Sequence, residues 1–195
     1  MKKQLQVVVT GGPGGGKTTA LDLFRRELGQ KIAIVPEAAT VLFSGGIIRS
    51  DDALVIKTIQ KTIFQLQKNL EEIHKEQFPE RLLVCDRGSL DGLAYWPGTE
   101  TDFFKAVNST FDEEIARYDA VIFFESAAAT GHDISSNNPV RSESSEQAVQ
   151  LDKALQKVWS RHPHFYFVGS SESFVRKIMF GIMTIENVIN RYQRE

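Results

Sequence analysis

The chain has a single cysteine, Cys85, among 195 residues. An intramolecular disulfide is therefore excluded, and the apolar run Leu82-Leu83-Val84-Cys85 marks the thiol as a buried core group rather than a reactive one. Histidine is equally sparse. His74, His132, His162 and His164 form no pair with the spacing of a helical zinc site, and His162-Pro163-His164 reads as a loop at the approach to a strand. The net charge of −2 gives no reason to expect broad binding to nucleic acid. No apolar run is long enough to span a bilayer, so no membrane association is expected. The first residues enter an apolar segment without the charged region, apolar region and cleavage site of a signal peptide, which makes a cytoplasmic location the expectation. No stretch rich in glycine, proline or serine divides the chain and no internal repeat appears. Residues 1–195 are expected to form one domain. A hydrophobic fraction of 42% and a charged fraction of 25% are those of an ordinary globular core and surface.

Glycine, by contrast, is concentrated in one place. Residues 11–18 read Gly11-Gly12-Pro13-Gly14-Gly15-Gly16-Lys17-Thr18, a complete match to the phosphate-binding pattern G-x-x-x-x-G-K-[ST]. Glycines let successive backbone N–H groups turn inward around an anion, and the loop delivers them to a helix N-terminus whose dipole also favours negative charge. Lys17 is placed to reach the β- and γ-phosphates of a nucleoside triphosphate, and the Thr18 hydroxyl to ligate Mg²⁺; Thr19 completes the binding segment. The flanks support the assignment. Leu5–Thr10 is a short β-branched run suited to a buried strand, whereas Ala20, Leu21, Leu23, Phe24 and Leu28 recur at helical spacing before Gly29.

Five strands are predicted over Leu5–Thr10, Lys31–Pro36, Arg81–Asp86, Asp119–Glu125 and His164–Gly169, alternating with helices. Most are apolar without alternation, as in strands covered on both faces. One long helix, Asp52–Gln77, carries the stripe Val55, Ile59, Ile63, Leu66, Leu70 and Ile73, and offers a candidate homodimer face. A second carries Ala148, Leu151, Leu155 and Val158 after the capping-box pattern Ser144-Ser145-Glu146-Gln147. The last uses Phe174, Ile178, Ile182, Ile185 and Ile189, with Ser171 near its cap. Such alternation predicts an α/β fold with a parallel sheet between two helical layers. The segment Ala127–Ser145 is long, polar and poor in large apolar groups, the composition of a lid-like loop.

In such a sheet, ligands bind beyond the carboxyl ends of the strands. Asp86 closes a run of apolar residues and is a candidate Mg²⁺ ligand opposite Thr18, or else a cap for the following turn. Its neighbour Arg87 is suited to phosphate oxygens, or to a surface ion pair. Glu37, after the second strand, is placed either to accept the proton of an attacking hydroxyl or to cap the next helix. Arg141 in the lid-like loop is either solvated or carried to the triphosphate by loop closure. Asp91, Tyr95 and Trp96 either line an acceptor pocket or pack beneath the turn at Pro97-Gly98.

Taken with Gly11–Thr18, the blocks Pro36-Glu37-Ala38-Ala39, Asp86-Arg87-Gly88-Ser89-Leu90-Asp91-Gly92 and Asn138-Pro139-Val140-Arg141 make the chain similar to P-loop kinases of small nucleosides and nucleotides. It resembles the ATPase domains grouped with the bacterial nicotinamide ribonucleoside kinase module, often filed under AAA-type ATPases, and also the deoxynucleoside kinases. That resemblance implies a three-layer P-loop NTPase fold with five parallel strands in the order 2-3-1-4-5. It implies ATP and Mg²⁺ as cofactors and a nucleoside-type small molecule as phosphate acceptor. In it, Glu37 is the catalytic base or hydroxyl anchor, Asp86 and Arg87 are the Mg²⁺ and phosphate contacts, and Arg141 is the lid arginine. The chain has little room for the helical lid domain and sensor motifs of an AAA+ motor, and it lacks the N-K-x-D base-reading signature of a GTPase. A regulatory ATPase, with Ala127–Ser145 as its switch loop, is the alternative reading.

Overall fold

The computed structural model describes residues 4–130, 145–170 and 173–193. Five strands, β1 (Gln6–Thr10), β2 (Ile32–Val35), β3 (Leu82–Asp86), β4 (Ala120–Phe124) and β5 (Phe165–Val168), form one sheet in the order β2-β3-β1-β4-β5. Every neighbouring pair is parallel; Val8 lies opposite Cys85 on one side and Val121 on the other. All five strands lie inside the expected segments, β1 and β3 trimmed by one residue at the start and the others at both ends, and the order is the one the family resemblance implies.

Seven α-helices are described: α1 (Lys17–Leu28), α2 (Ala38–Ser44), α3 (Ala53–Gln77), α4 (Glu100–Val107), α5 (Phe111–Ile115), α6 (Ser145–Trp159) and α7 (Phe174–Gln193). Side-chain alternation along the strands divides the core in two. Val7 and Val9 pack with Phe24 and Leu28 of α1 and Ile178 and Ile185 of α7. Val8 points the other way, into a cluster with Phe64 of α3, Phe103 and Phe104 of α4, and Trp159 of α6. Helices α4 and α5 were not among the expected elements. Their starts are nonetheless written in the sequence, since Thr99 Oγ1 accepts the Asp102 N–H at 3.1 Å and Thr110 Oγ1 accepts the Glu113 N–H at 3.2 Å.

The expected stripe on α3 faces inward only in part, with Ile63, Leu66 and Leu70 half-buried. Ile59 is buried, but Val55 and Ile73 are exposed, and the buried face is shared with Gln60, Phe64, Gln67 and Glu71. Hydrophobic periodicity assigns the apolar side of a helix to the core. Here much of the inward side is polar because it faces a hydrogen-bonded network rather than hydrocarbon.

Candidate active site

Strand β1 ends at Thr10, and the chain turns through three glycines with positive φ, Gly11 (132°), Gly14 (78°) and Gly16 (87°), before α1 begins at Lys17. Gly16 is the helix N-cap, so the N–H groups that follow it have no intrahelical acceptor and are available to an anion. The cradle has no room for side chains. A Cβ on Gly11 would lie 1.9 Å from the Phe124 carbonyl oxygen, and one on Gly12 would lie 2.5 Å from Asp152 Oδ1. Lys17 is buried, its ammonium donating to the carbonyls of Gly11 (2.8 Å) and Gly12 (2.7 Å). Thr18 and Thr19 are exposed on the first turn of α1; Thr18 lines the adjoining cavity together with Pro13, and Thr19 is not among its lining residues.

Asp152 is a site residue that the sequence reading passed over. Its Oδ1 accepts the backbone N–H groups of Gly12 (2.8 Å) and Ser126 (2.9 Å), which ties α6 to the loop. Ser126 Oγ in turn donates to the Pro13 carbonyl at 2.5 Å. Burial raises the Asp152 pKa against the lowering effect of those two N–H groups. The signal was an acid set among Ala148, Leu151 and Leu155, on a helix where every other inward residue is apolar.

The ends of β2 and β3 bring three sequence candidates together. Arg87 Nε donates to Glu37 Oε1 at 2.5 Å and its Nη1 to Asp91 Oδ2 at 2.9 Å; a longer contact of 3.4 Å reaches the Gly11 carbonyl. Glu37 is the N-cap residue of α2, yet its carboxylate caps no backbone N–H; instead Oε2 accepts the Thr40 hydroxyl at 2.6 Å. Burial pushes the Glu37 pKa up, but Arg87, Thr40 and Lys17 together outweigh it and hold the group below its ordinary value. Asp86 behaves in the opposite way. Burial and the negative charge of Glu37 push it up to about 6, despite Arg87 and Lys17. No hydrogen bond or ion pair engages its carboxylate within the described residues.

Asp91 is a hub. It accepts the Thr10 hydroxyl (2.8 Å to Oδ2), the Arg87 guanidinium and, through Oδ1, the Trp159 indole N–H at 2.8 Å. One buried carboxylate thus joins the end of β1, the end of β3 and α6. Tyr95 lines the cavity, whereas Trp96 is buried beside Phe103, with ring centroids 5.3 Å apart. Arg141 and residues 131–144 of the lid-like segment, Ser144 of the capping box included, lie outside the described residues, as does Ser171.

These groups surround a cavity of about 380 Å³, within the range of small-molecule sites. Its lining includes Pro13 and Thr18, then Glu37, Asp86 and Arg87, and the larger side chains Phe43, Ile63 and Tyr95. Gln60, buried on α3, lines it too and was missed because an isolated glutamine in a helix carries no signature.

The family model described as an AAA domain matches residues 6–177. The chain belongs to this AAA-domain family. No curated protein matches it in sequence. Among solved structures, the fold of this AAA-domain protein is similar to that of deoxyadenosine kinase from M. mycoides with bound dATP (15% identity, 94% of this chain and 100% of that one, TM-score 0.53). The same enzyme with the products dCMP and a flexible dCDP matches at 17% identity over the same shares, with a TM-score of 0.56. At these identities the likeness is one of fold. The AAA-domain chain is thus a P-loop nucleotide-binding protein with a kinase-like architecture, and none of its described helices is long and apolar enough to cross a membrane.

Proposed function

We propose that the protein is a Mg²⁺-dependent small-molecule kinase that transfers the γ-phosphoryl group of ATP to a hydroxyl of a nucleoside-type acceptor. The observation that carries this reading is the cavity's lining. Pro13 and Thr18 of the P-loop share one cavity with Glu37, Asp86 and Arg87 and with Phe43, Gln60, Ile63 and Tyr95, groups that a second substrate could meet. The flat rings of Phe43 and Tyr95 and the donor–acceptor amide of Gln60 suit a planar heterocycle with polar edges.

In this reading the backbone of Gly11–Gly16, Lys17 and the start of α1 hold the triphosphate, with Thr19 at the edge of that segment. Thr18 and Asp86 fit a hard cation. They line the same cavity, and the Asp86 carboxylate is not engaged by other described side chains. No group of three or more His, Cys, Asp or Glu residues among the described ones forms a self-sufficient cage, as expected where phosphate oxygens complete the coordination. Bound Mg²⁺ would neutralise phosphate charge.

Glu37, ionised at neutral pH, accepts a hydrogen bond from the acceptor hydroxyl and aims its oxygen at the γ-phosphorus. As the new O–P bond forms and the bond to the β,γ-bridging oxygen breaks, the leaving electron pair stays on ADP and the hydroxyl proton passes to Glu37. A loose transition state asks for positioning more than for a strong base, so a carboxylate with a lowered pKa suffices. Arg87, held by Glu37 and Asp91, presents its guanidinium to the transferring oxygens. Arg141 is assigned to closure over the phosphates from the segment that follows β4.

The test is ADP release across a panel of nucleosides. Wild-type protein should require both an acceptor and Mg²⁺, and Glu37→Gln should lower kcat by about 10²-fold or more. ADP release that ignores the acceptor and is untouched by Glu37→Gln would sink the kinase assignment in favour of a regulatory ATPase.

A further inference from the structure

Two non-glycine residues among those described have positive φ, Asn108 (52°) and Arg87 (70°). Asn108 ends α4 as a left-handed C-cap, a conformation asparagine tolerates well. Arginine has no such excuse, and an arginine held left-handed at a ligand cavity asks what holds it there.

The answer lies on the polar face of α3. The Gln67 amide N–H₂ donates to the Arg87 carbonyl at 3.3 Å and to Glu71 Oε1 at 3.0 Å. Both partners are acceptors, which fixes the amide's orientation. Glu71 is fully buried. Its Oε1 also accepts the Tyr118 hydroxyl at 2.9 Å, and its Oε2 the Arg117 guanidinium at 2.5 Å. The Tyr118 oxygen in turn accepts the Ser89 backbone N–H at 2.8 Å. From one buried carboxylate, then, two arms reach the main chain on either side of Gly88: Gln67 grips the carbonyl of Arg87 and Tyr118 the N–H of Ser89. Gly88 between them has no room for a side chain, because a Cβ there would lie 2.7 Å from the Trp159 ring.

We infer that Gln67, Glu71 and Tyr118 are positioning residues that clamp the Arg87–Ser89 turn and so aim the Arg87 guanidinium at the nucleotide. Neither Glu71 nor Gln67 lines the cavity; Gln67 acts through the Arg87 carbonyl, and Glu71 through Gln67 and Tyr118. A fully buried carboxylate paired with a half-buried guanidinium is an expensive way to build a core, and a hydrocarbon side chain would fill the Glu71 site without desolvating charge. Their retention makes sense if the turn must be held in a conformation it would otherwise leave.

The role assigned to Arg87 rests on the kinase reading, so the test combines an activity measurement with one that needs no activity. In Gln67→Met, which keeps length and volume but loses the donor, kcat should fall about tenfold while KM for ATP changes less than about twofold. The Arg87 Nε–H, bonded to Glu37, should exchange with solvent about tenfold faster by NMR. Tyr118→Phe, which removes one oxygen from the other arm, should move both readouts the same way by a smaller factor, and it serves if Gln67→Met does not fold. Loss of stability with kcat per folded molecule and Arg87 exchange both unchanged would overturn the inference, because a merely structural network predicts that result. Should the wild-type protein show no acceptor-dependent turnover, the kinase reading falls, and the exchange rate of Arg87 alone decides for or against the clamp.

Discussion

The two faces of the sheet are built on different principles. Towards α1 and α7 the core is hydrocarbon: Val7, Val9, Phe24, Leu28, Ile122, Ile178 and Ile185 exclude water from one another through many small, interchangeable contacts. Towards α3 and α6 the same strands meet Phe64, Trp159 and a set of buried polar groups, Gln67, Glu71, Asp91 and Tyr118, whose hydrogen bonds are few and specific. The first layer resists change because no single contact dominates. The second fixes the geometry of the strand ends, and it is vulnerable at single atoms. The candidate site lies at the carboxyl end of the sheet where that polar layer surfaces, so specificity of position is concentrated where chemistry would need it.

Removing the anion from the polar layer should have the largest effect. Glu71→Leu leaves the Arg117 guanidinium with a single weaker partner, Glu114 Oε2 at 3.5 Å, and leaves Gln67 with one acceptor instead of two. Deleting one partner of a fully buried pair typically costs about 3–5 kcal/mol; with Arg117 half-buried, urea unfolding should register a loss towards the lower end of that range. A loss below about 1 kcal/mol would mean the layer repacks freely and the contrast between the faces is false.

Asp86 offers an intermediate effect of opposite sign. Its pKa in the folded protein, about 6, stands above the ordinary 3.8, so the folded state holds a proton more tightly than the unfolded chain does. The ionised carboxylate therefore costs stability above about pH 6; the cost shrinks as pH falls from 6 towards 3.8, and below that it is gone. In metal-free buffer Asp86→Asn should stabilise the protein at pH 7.5, by about 3 kcal/mol at most, and should give no advantage at pH 3.5. The same substitution should abolish Mg²⁺-dependent turnover. An unchanged midpoint of unfolding at pH 7.5 would show that the carboxylate is better solvated than its surroundings imply.

The contrast between the faces also explains what the sequence made legible. Strands buried on both faces read as unbroken apolar runs, and α1 and α7 pack on hydrocarbon, so composition and 3.6-residue spacing located them. The P-loop was legible because its glycines answer to steric demands that no other residue meets, seen in the 1.9 Å approach of a Gly11 Cβ to the Phe124 carbonyl. On α3 the same reasoning located Ile59 and the half-buried Ile63, Leu66 and Leu70 but not the polar part of the inward face. Gln60, Gln67 and Glu71 look like solvated residues when read along the chain, and only the approach of Arg87, Ser89 and Tyr118 from distant segments gives them partners. Glu37, Asp86 and Arg87 were found because they follow strands. Asp152 was not, because its partners are backbone N–H groups that carry no residue identity.

The smallest effect tests the apolar layer. Ile185 of α7 is fully buried against the α1 side of the sheet, in a cluster made mostly of aliphatic side chains. Ile185→Val removes one methylene and leaves a void that neighbouring aliphatic groups partly close, for a cost of about 1 kcal/mol. Leu21 and Ile34 of that layer reach the cavity but Ile185 does not line it, so kcat and KM should remain at their wild-type values when measured on folded protein. A change in kcat larger than about threefold would show that the α7 layer transmits to the site after all. The division between a face that stabilises and a face that positions would then have to be abandoned.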